Sequence, residues 1–482
     1  MHRSDRDTEV LTQAVVRYAI DRMKLDPPPL DRPHTPAELR AMVGQTVTAS
    51  GIGGLEALRV FGDVLAPSCI SIDHPKFLSF VPAAPTEASI LFDLVVGASS
   101  IYAGSWLEGA GAIFAENEAL RWIADLAGLP ASAGGVFVSG GTAGNLSALI
   151  AARWHWRHRA DGAHDRTRGL MIVSSGAHSS VAQAARAMDA DVATVPAGDR
   201  GRLERDALHA TVESLDDLDR ERLFAVVATS GTTNVGVVDD LEGAADVAAE
   251  TGAWFHVDGA YGGAALAAAS VRHRFAGIER ADSFIVDPHK WLFAPFDSCA
   301  LLYRDPDIGR AAHTQHAEYL DVLHNEDPAD EPWNASDYAH HLSRRARGLP
   351  LWFSLATYGT DAYAEAVETT LSVTREAARL IEAAHHTELV MEPDLSIVLF
   401  RRIGWTPHDY QLWSDAQLAS GDSFVVPTTW RGEAVLRFCI VNPRTTITDI
   451  AEIVDSLSDP GTDPDVAPGI DRDIAPNDRL DR

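Results

Sequence analysis

Lysine is nearly absent from this sequence: among 40 basic residues only Lys24, Lys76 and Lys290 are lysines. Positive charge is carried by arginine, which stays protonated at any working pH and does not act as a nucleophilic amine. Covalent amine chemistry is therefore confined to three positions. Cysteine is equally scarce, with Cys69, Cys299 and Cys439 far apart, in no CxxC pair and among apolar neighbours. That speaks against a disulfide framework or a zinc site and is expected of reduced core residues in a cytoplasmic protein. No stretch reaches about 18 uninterrupted apolar residues, and the N-terminus carries Arg3, Asp5, Arg6, Asp7 and Glu9 in place of an apolar signal core. No membrane span or export signal is expected. The basic residues are outnumbered by 69 acidic ones, for a net charge of −29, which argues against nucleic acid or an anionic membrane as a partner.

What is present is a chain of 482 residues, 46% hydrophobic, long enough for two or three domains with large cores. Residues 8–24 repeat apolar positions at helical spacing and stop at Asp26-Pro27-Pro28-Pro29, so residues 1–75 read as an N-terminal helical segment that packs on another surface. From Gly134 to Tyr303, short apolar runs (VFVS, LMIVS, DVATVP, LFAVVATS, WFHVD, SFIVD, CALLY) alternate with alanine-rich amphipathic segments. Non-alternating strands separated by helices predict a doubly wound, mostly parallel sheet of seven strands, in an α/β domain spanning 76–348. Ligands in such folds gather at the carboxyl ends of the strands, where these runs end in Ser139, Ser174, Thr229, Asp258 and Asp287. A long helix from about Leu349 to His385, strands at 388–401 and 434–441 and a last helix near 446–457 predict a smaller α+β domain over 349–457. The tail, 458–482, has seven Asp, four Pro and no aromatic from Asp459 onward and is expected to be disordered.

Lys290 stands in FIVDPHKWLF, with Phe284, Ile285 and Val286 before it and Trp291, Leu292 and Phe293 after. An amine in that apolar setting is expected to have a lowered pKa. Four further features bear on chemistry. In SGGTAGN (139–145), a glycine turn between strand and helix offers backbone amides, the Thr142 hydroxyl and a helix N-terminus to a phosphate, although such turns are as often purely structural. In FHVDGAYGG (255–263) a strand delivers Asp258, which can cap a helix, bind a metal or pair with a cationic ring nitrogen. SSGAHSSVAQA (174–184) places His178 just past another strand, where most histidines are structural hydrogen-bonders. TSGTTNVGVVDDL (229–241) sets Ser230, Thr232 and Thr233 at a strand end. A metal site from Asp258, His256 and His289 would draw on different strands and is a poorer reading. Together these features specify pyridoxal 5′-phosphate (PLP), which needs an amine, a carboxylate for its pyridine nitrogen, a phosphate cup and a flat group over its ring. Lys290, Asp258, Gly141 with Thr142, and His178 supply them.

The sequence resembles the group II PLP-dependent amino acid decarboxylases, aromatic-L-amino-acid decarboxylase-like and of PLP fold type I (aspartate aminotransferase-like). HPKFLSFVP, GGVFVSGGTAGNLSALIAAR, AHSSV, ATSGTT, HVDGAYGG, DPHKWLFAPFDSCALLYRD, LSRRARGLPLWFSLATYG and LRFCIVNPRTT occur in that family's order and spacing, from about Asp73 to Thr446. The resemblance implies Lys290 as the Schiff-base lysine, Asp258 on the pyridine nitrogen, and His178 stacked on the ring near the substrate carboxylate. It also implies Gly141, Thr142 and His289 near the phosphate, and Thr232 or Thr233 beside the ring oxygen. Family members are homodimers with interface active sites, so the N-terminal helix is expected to dimerise. The implied reaction is decarboxylation of an L-amino acid, aromatic or bulky, through an external aldimine and quinonoid, with Phe80, Pro82, Ile101, Tyr102 and Trp106 as an apolar substrate pocket or, alternatively, as core. Two departures bear on the reaction. EGAGAIFAE (108–116) replaces the SPxxTELE segment of aromatic-type relatives, and Ala335 stands where their mobile loop carries a protonating tyrosine, with Tyr338 three residues later. His178 or Tyr338 can then supply the proton. Decarboxylation-coupled oxidative deamination to an aldehyde, β-elimination on a cysteine conjugate and an inactive PLP-fold scaffold are the alternatives.

Overall fold

In the computed structural model of the protein, which describes residues 5–159, 167–318, 320–324 and 332–458, the seven apolar runs form one sheet. Its strands are β1 (Gly134–Val138), β2 (Leu170–Ser174), β3 (Asp191–Val195), β4 (Leu223–Thr229), β5 (Trp254–Asp258), β6 (Ser283–Val286) and β7 (Cys299–Tyr303). They lie in the order β1-β7-β6-β5-β4-β2-β3. Strands β2 to β6 are parallel, and β7 is antiparallel to both its neighbours, β1 and β6. The carboxyl ends of β1, β4, β5 and β6 therefore share one edge. Strands β4 and β5 are buried along their whole length, because helices cover both faces, and the polar residues they carry, Thr229, His256 and Asp258, lie buried at or near their carboxyl ends. Val226 and Ala228 join the core on one side with Ala244 and Ala248 of the helix Leu241–Thr251. Ala225 and Val227 join the core on the other side with Ala148 and Ala152 of the helix Gly141–His158.

A second, antiparallel sheet follows, made of β8 (Thr387–Met391), β9 (Ile397–Arg402), β10 (Thr428–Trp430) and β11 (Glu433–Cys439) in the order β10-β11-β9-β8. Three features differ from expectation. The stretch 388–401 is a hairpin, since Pro393 cannot donate to a ladder and Asp394 turns inward to accept from Arg200 and Arg274 at 2.9 Å each. The long helix is two helices, Leu349–Tyr358 and Thr360–Ala383, broken at Gly359 with φ +80°. The helix Pro407–Ser420 and strand β10 lie outside what periodicity indicated.

Two pins fix the parts around the strand ends. Glu116, on the helix Trp106–Leu126, receives both guanidinium nitrogens of Arg344 at 2.7 and 2.8 Å and the Gly348 amide at 2.8 Å, all of it buried. Ser396, leading into β9, meets the Tyr261 hydroxyl at 2.5 Å. The N-terminal helix, Arg6–Met23, buries none of its residues in the single chain and leaves Val10, Val15 and Val16 exposed. Among the described residues no helix is long and apolar enough to cross a membrane. The expected disordered tail lies, beyond Ser458, outside the described residues.

Candidate active site

A cavity of about 410 Å³ opens at the shared strand edge, lined by residues from five of the sequence features above: Gly141 and Thr142, His178, Thr233, Asp258, and His289 with Lys290. Each is there because a strand ends beneath it. Strand β1 ends at Val138 and its turn enters the helix Gly141–His158, whose N-cap Gly140 has no side-chain cap. The first-turn amides of that helix are thus left without intrahelical acceptors and open on the cavity. A Cβ at Gly141 would lie 3.1 Å from Ala260 Cβ and 3.2 Å from Asp287 Oδ2, tighter than most Cβ contacts, so a larger residue would push these neighbours back by a few tenths of an ångström.

Asp258, at the end of β5, is 3% exposed. Its Oδ1 accepts from the Ala260 amide at 3.1 Å and its Oδ2 from Asn145 Nδ2 at 2.8 Å. Asn145 sits one helical turn beyond Gly141 and is 1% exposed. It also donates to Ser180 Oγ at 2.9 Å and meets His256 Nε2 through Oδ1 at 2.8 Å. His178 caps the helix Ser179–Ala187, with Nδ1 accepting from the Ser180 amide at 3.2 Å and lying 2.8 Å from Ser180 Oγ. Burial pushes His256 well below the ordinary histidine range, although the Asp258 charge acts upward.

Lys290 does not have the lowered pKa expected of it. Burial is the largest single influence and pulls the amine down, but Asp287 lies 2.9 Å from Nζ, and its charge and hydrogen bond, with the charge of Asp258, carry the net direction upward. Asp287 closes β6, and the one-turn helix Pro288–Trp291 brings Lys290 back over it. The second carboxylate oxygen, Asp287 Oδ1, is buried without a hydrogen-bond partner among the described residues, as is Thr229 Oγ1. His289 Nδ1 accepts from the Ser298 amide at 3.0 Å, and its ring lies 4.6 Å from that of Phe296 at the cavity wall. Burial lowers the His289 pKa against the pull of Asp287.

Other candidates are not brought to this cavity in the single chain. Thr232 is buried in the turn, its hydroxyl accepting from the Val237 amide at 3.3 Å, while Thr233 lines the cavity. Tyr338 stacks on Trp333 at 4.2 Å within the core beside the large sheet, and Ala335 is buried in the same cluster. Phe80 is 64% exposed with φ +52°. Pro82 is buried, Ile101 joins a core cluster with Val96 and Ala103, Tyr102 donates to the Leu342 carbonyl at 3.2 Å, and Trp106 packs against the core around Ile113. Sequence reasoning gave no role to Asn145, Ser180 or Phe296, and named Asp287 only as the end of a strand. Asn145 carried a signal: it is a polar residue on the inward face of an alanine-rich helix, four positions after Gly141.

Comparison with known proteins decides the family. The pyridoxal-dependent decarboxylase conserved domain matches residues 53–403. The chain belongs to the pyridoxal-dependent decarboxylases. It is 29% identical over 437 residues to the aromatic-L-amino-acid decarboxylase of Bacillus atrophaeus, covering 86% of this chain and 87% of that one. It is 32% identical over 421 residues to the L-2,4-diaminobutyrate decarboxylase of Rhizobium meliloti, covering 85% and 82%. In fold it is similar to the structure of Oryza sativa TDC with PLP and tryptamine, with a TM-score of 0.86, 24% identity and coverage of 95% and 99%. This decarboxylase is a PLP-dependent carboxy-lyase, and the cavity fits that cofactor. It offers uncapped helix amides for a phosphate, a buried carboxylate with a free lone-pair direction, an amine and unpartnered polar oxygens, in a volume ordinary for a ligand of this size.

Proposed function

We propose that this decarboxylase removes CO2 from an L-amino acid with an aromatic or bulky side chain. The observation that carries the reading is the convergence of the Lys290 amine, the Asp258 carboxylate and the His178 imidazole on one cavity at the strand edge. PLP, when bound, supplies an electrophilic carbonyl and an electron sink for the bond to the departing carboxylate. Lys290 is the residue that would hold it covalently, and its amine must first give up the proton shared with Asp287. Asp258 would hold a proton on the pyridine nitrogen, a task suited to a buried carboxylate anchored by Asn145 and the Ala260 amide. The amides of Gly141 and Thr142, with Thr233 and His289 on either side, would receive the phosphate and ring oxygen. His178 would lie over the ring and orient the carboxylate that leaves.

The same proposal includes a homodimer. Phe80, Leu91, Leu94, Val95, Leu107 and Phe114 are exposed in one chain, large apolar side chains of the kind that a partner surface covers. A second copy covering them would bring Phe80 and the Ile101–Trp106 segment to its own or its partner's cavity mouth and complete a pocket for a bulky side chain. A second reading of the reaction is supported by one observation: Ala335 and Tyr338 are both held in the core, and Tyr261, the tyrosine among the cavity-lining residues, has its hydroxyl on Ser396, so among the described residues no tyrosine hydroxyl is free at the cavity to protonate the electron-rich α-carbon. Oxygen can then take those electrons, giving an aldehyde, ammonia and peroxide. The test is incubation with a panel of L-amino acids under air, with CO2, ammonia and peroxide measured together and the borohydride adduct mapped to a peptide. CO2 with amine product supports decarboxylation, and equimolar ammonia and peroxide support the second reading. An adduct on a peptide lacking Lys290 overturns both.

A further inference from the structure

Asp258 and His178 are the two ends of one hydrogen-bond chain whose polarity follows from its donors. A carboxylate only accepts, so the Asn145 atom facing Asp258 Oδ2 at 2.8 Å is the amide nitrogen. Its second hydrogen goes to Ser180 Oγ at 2.9 Å. Asn145 Oδ1 then faces His256 Nε2 at 2.8 Å and must receive a hydrogen from it. His256 Nδ1 is left as an acceptor for the hydroxyl of Ser283, 2.8 Å away, which itself accepts from Trp254 Nε1 at 2.7 Å. On the other side Ser180 Oγ, having accepted from Asn145, donates to His178 Nδ1 at 2.8 Å, and the Ser180 amide donates to the same nitrogen at 3.2 Å. A backbone N–H can only donate, so Nδ1 of His178 carries no hydrogen in this arrangement.

We propose that Asn145 and Ser180 are positioning residues that couple the Asp258 carboxylate to His178, and that they hold His178 with Nδ1 bare and its proton on Nε2. The edge of the ring carrying Nε2 is the one without a hydrogen-bond partner among the described residues, and the ring lines the cavity. What it presents to the substrate is thus a donor, which suits an acceptor such as an α-carboxylate and disfavours an amine. One side chain, Asn145, thus touches the carboxylate that would hold the pyridine nitrogen and, through Ser180, the imidazole that would lie over the ring, and His256 fixes which way round that side chain sits. The inference rests on the roles proposed for Asp258 and His178, but the tautomer is measurable without reference to turnover.

The experiment is long-range 1H–15N correlation on histidine-labelled holoenzyme near pH 7.5, with His178→Gln used to assign the His178 signals. A pyridine-like Nδ1 and a pyrrole-like Nε2 are expected, and a pyrrole-like Nδ1 in the native enzyme would overturn the proposal with no further variant needed. In Ser180→Ala the Nδ1 signal moves toward a mixture of tautomers, while Ser180→Thr, which keeps the hydroxyl, restores it. In Asn145→Ala the PLP dissociation constant rises roughly tenfold, as loss of a hydrogen bond to a charged partner implies, and kcat falls with KM for the amino acid little changed. An Asn145→Ala enzyme that binds PLP like the native protein sinks the coupling to Asp258. Lys290→Ala in the same assays separates the two questions: if it still turns over substrate, the functional reading fails while the tautomer result stands.

Discussion

At Lys290 two influences oppose each other. Burial favours the neutral amine, and the Asp287 carboxylate at 2.9 Å favours the ammonium and wins. The residue that must act as a nucleophile is therefore stored as an ion pair, and Asp287 is the base placed to take its proton. Asp287→Asn removes the charge and leaves burial as the main influence, so the pH profile for forming a borohydride-trapped adduct at Lys290 shifts to lower pH. Mass-spectrometric adduct yield against pH in the apoprotein checks this, and a profile that stays in place means that another group holds the ammonium. Asp258→Ala acts differently, leaving the amine intact but removing the charge meant for the pyridine nitrogen. Its kcat is expected to fall roughly 100- to 1,000-fold, the usual effect of deleting a preorganised charge partner, with the adduct still on Lys290. Scarcity made Lys290 legible in the sequence, and strand-end placement did the same for Asp258. The sign of the Lys290 shift was not legible, because FIVDPHK reads as an apolar strand until a one-turn helix folds position 290 back over position 287.

At the scale of elements, the strands of the large sheet could be read directly because each is a short apolar run, and all but the edge strand β3 show the burial on both faces that removes alternation. The small sheet was harder. Its strands are half-exposed at their ends, β10 has only three residues, and the hairpin between β8 and β9 depends on a turn whose Asp394 finds its arginines about 120 and 190 positions away in sequence. Long-range ion pairs of that kind leave no local trace. The same holds for Glu116, which stands in the segment EGAGAIFAE that departs from the aromatic-type pattern yet keeps the carboxylate needed to bind Arg344. Arg344 also donates to the carbonyls of Ala103 and Phe137, so this buried pair ties the helix Trp106–Leu126 and the end of β1 to the SRR segment. Removing one partner leaves the other charged and dry. Glu116→Ala is therefore expected to destabilise the protein by roughly 3–5 kcal/mol, read as a lowered urea midpoint. Glu116→Ala combined with Arg344→Met is expected to recover part of the loss. A single variant within about 0.5 kcal/mol of the parent, the range of ordinary surface substitutions, would show that the pair is not holding these elements together.

The whole molecule carries the imprint of burying so many titratable groups. Among the described residues burial pushes seven histidines down, namely His74, His155, His256, His289, His313, His340 and His341, with His313 at about 4 and His341 at about 3. It pushes three carboxyls up, Asp31, Asp239 and Asp282, with Asp239 at about 6. The two groups act in opposite directions. A histidine lowered in the folded state takes up its proton more readily when unfolded, so below about 6.5 the unfolded chain binds more protons and stability falls with falling pH. A raised carboxyl holds its proton more tightly when folded, so its contribution is fully present below the unfolded value and is lost as pH rises toward the folded one. For His313 alone, a drop from 6.5 to about 4 corresponds to on the order of 3 kcal/mol once fully developed. Asp239 is comparable and opposite, and the excess of histidines decides the sign. The urea midpoint of the holoenzyme at fixed protein concentration is thus expected to fall between pH 7.5 and pH 5.5, a range that stays above the isoelectric point near 4.9 and so keeps net charge for solubility. His313→Gln is expected to flatten part of that slope, because Gln can still donate to the Ser147 carbonyl that His313 Nε2 meets at 3.0 Å but cannot titrate. A midpoint that is level or rises toward pH 5.5 would mean that the buried carboxyls outweigh the histidines and that the core tolerates acid better than its side chains imply.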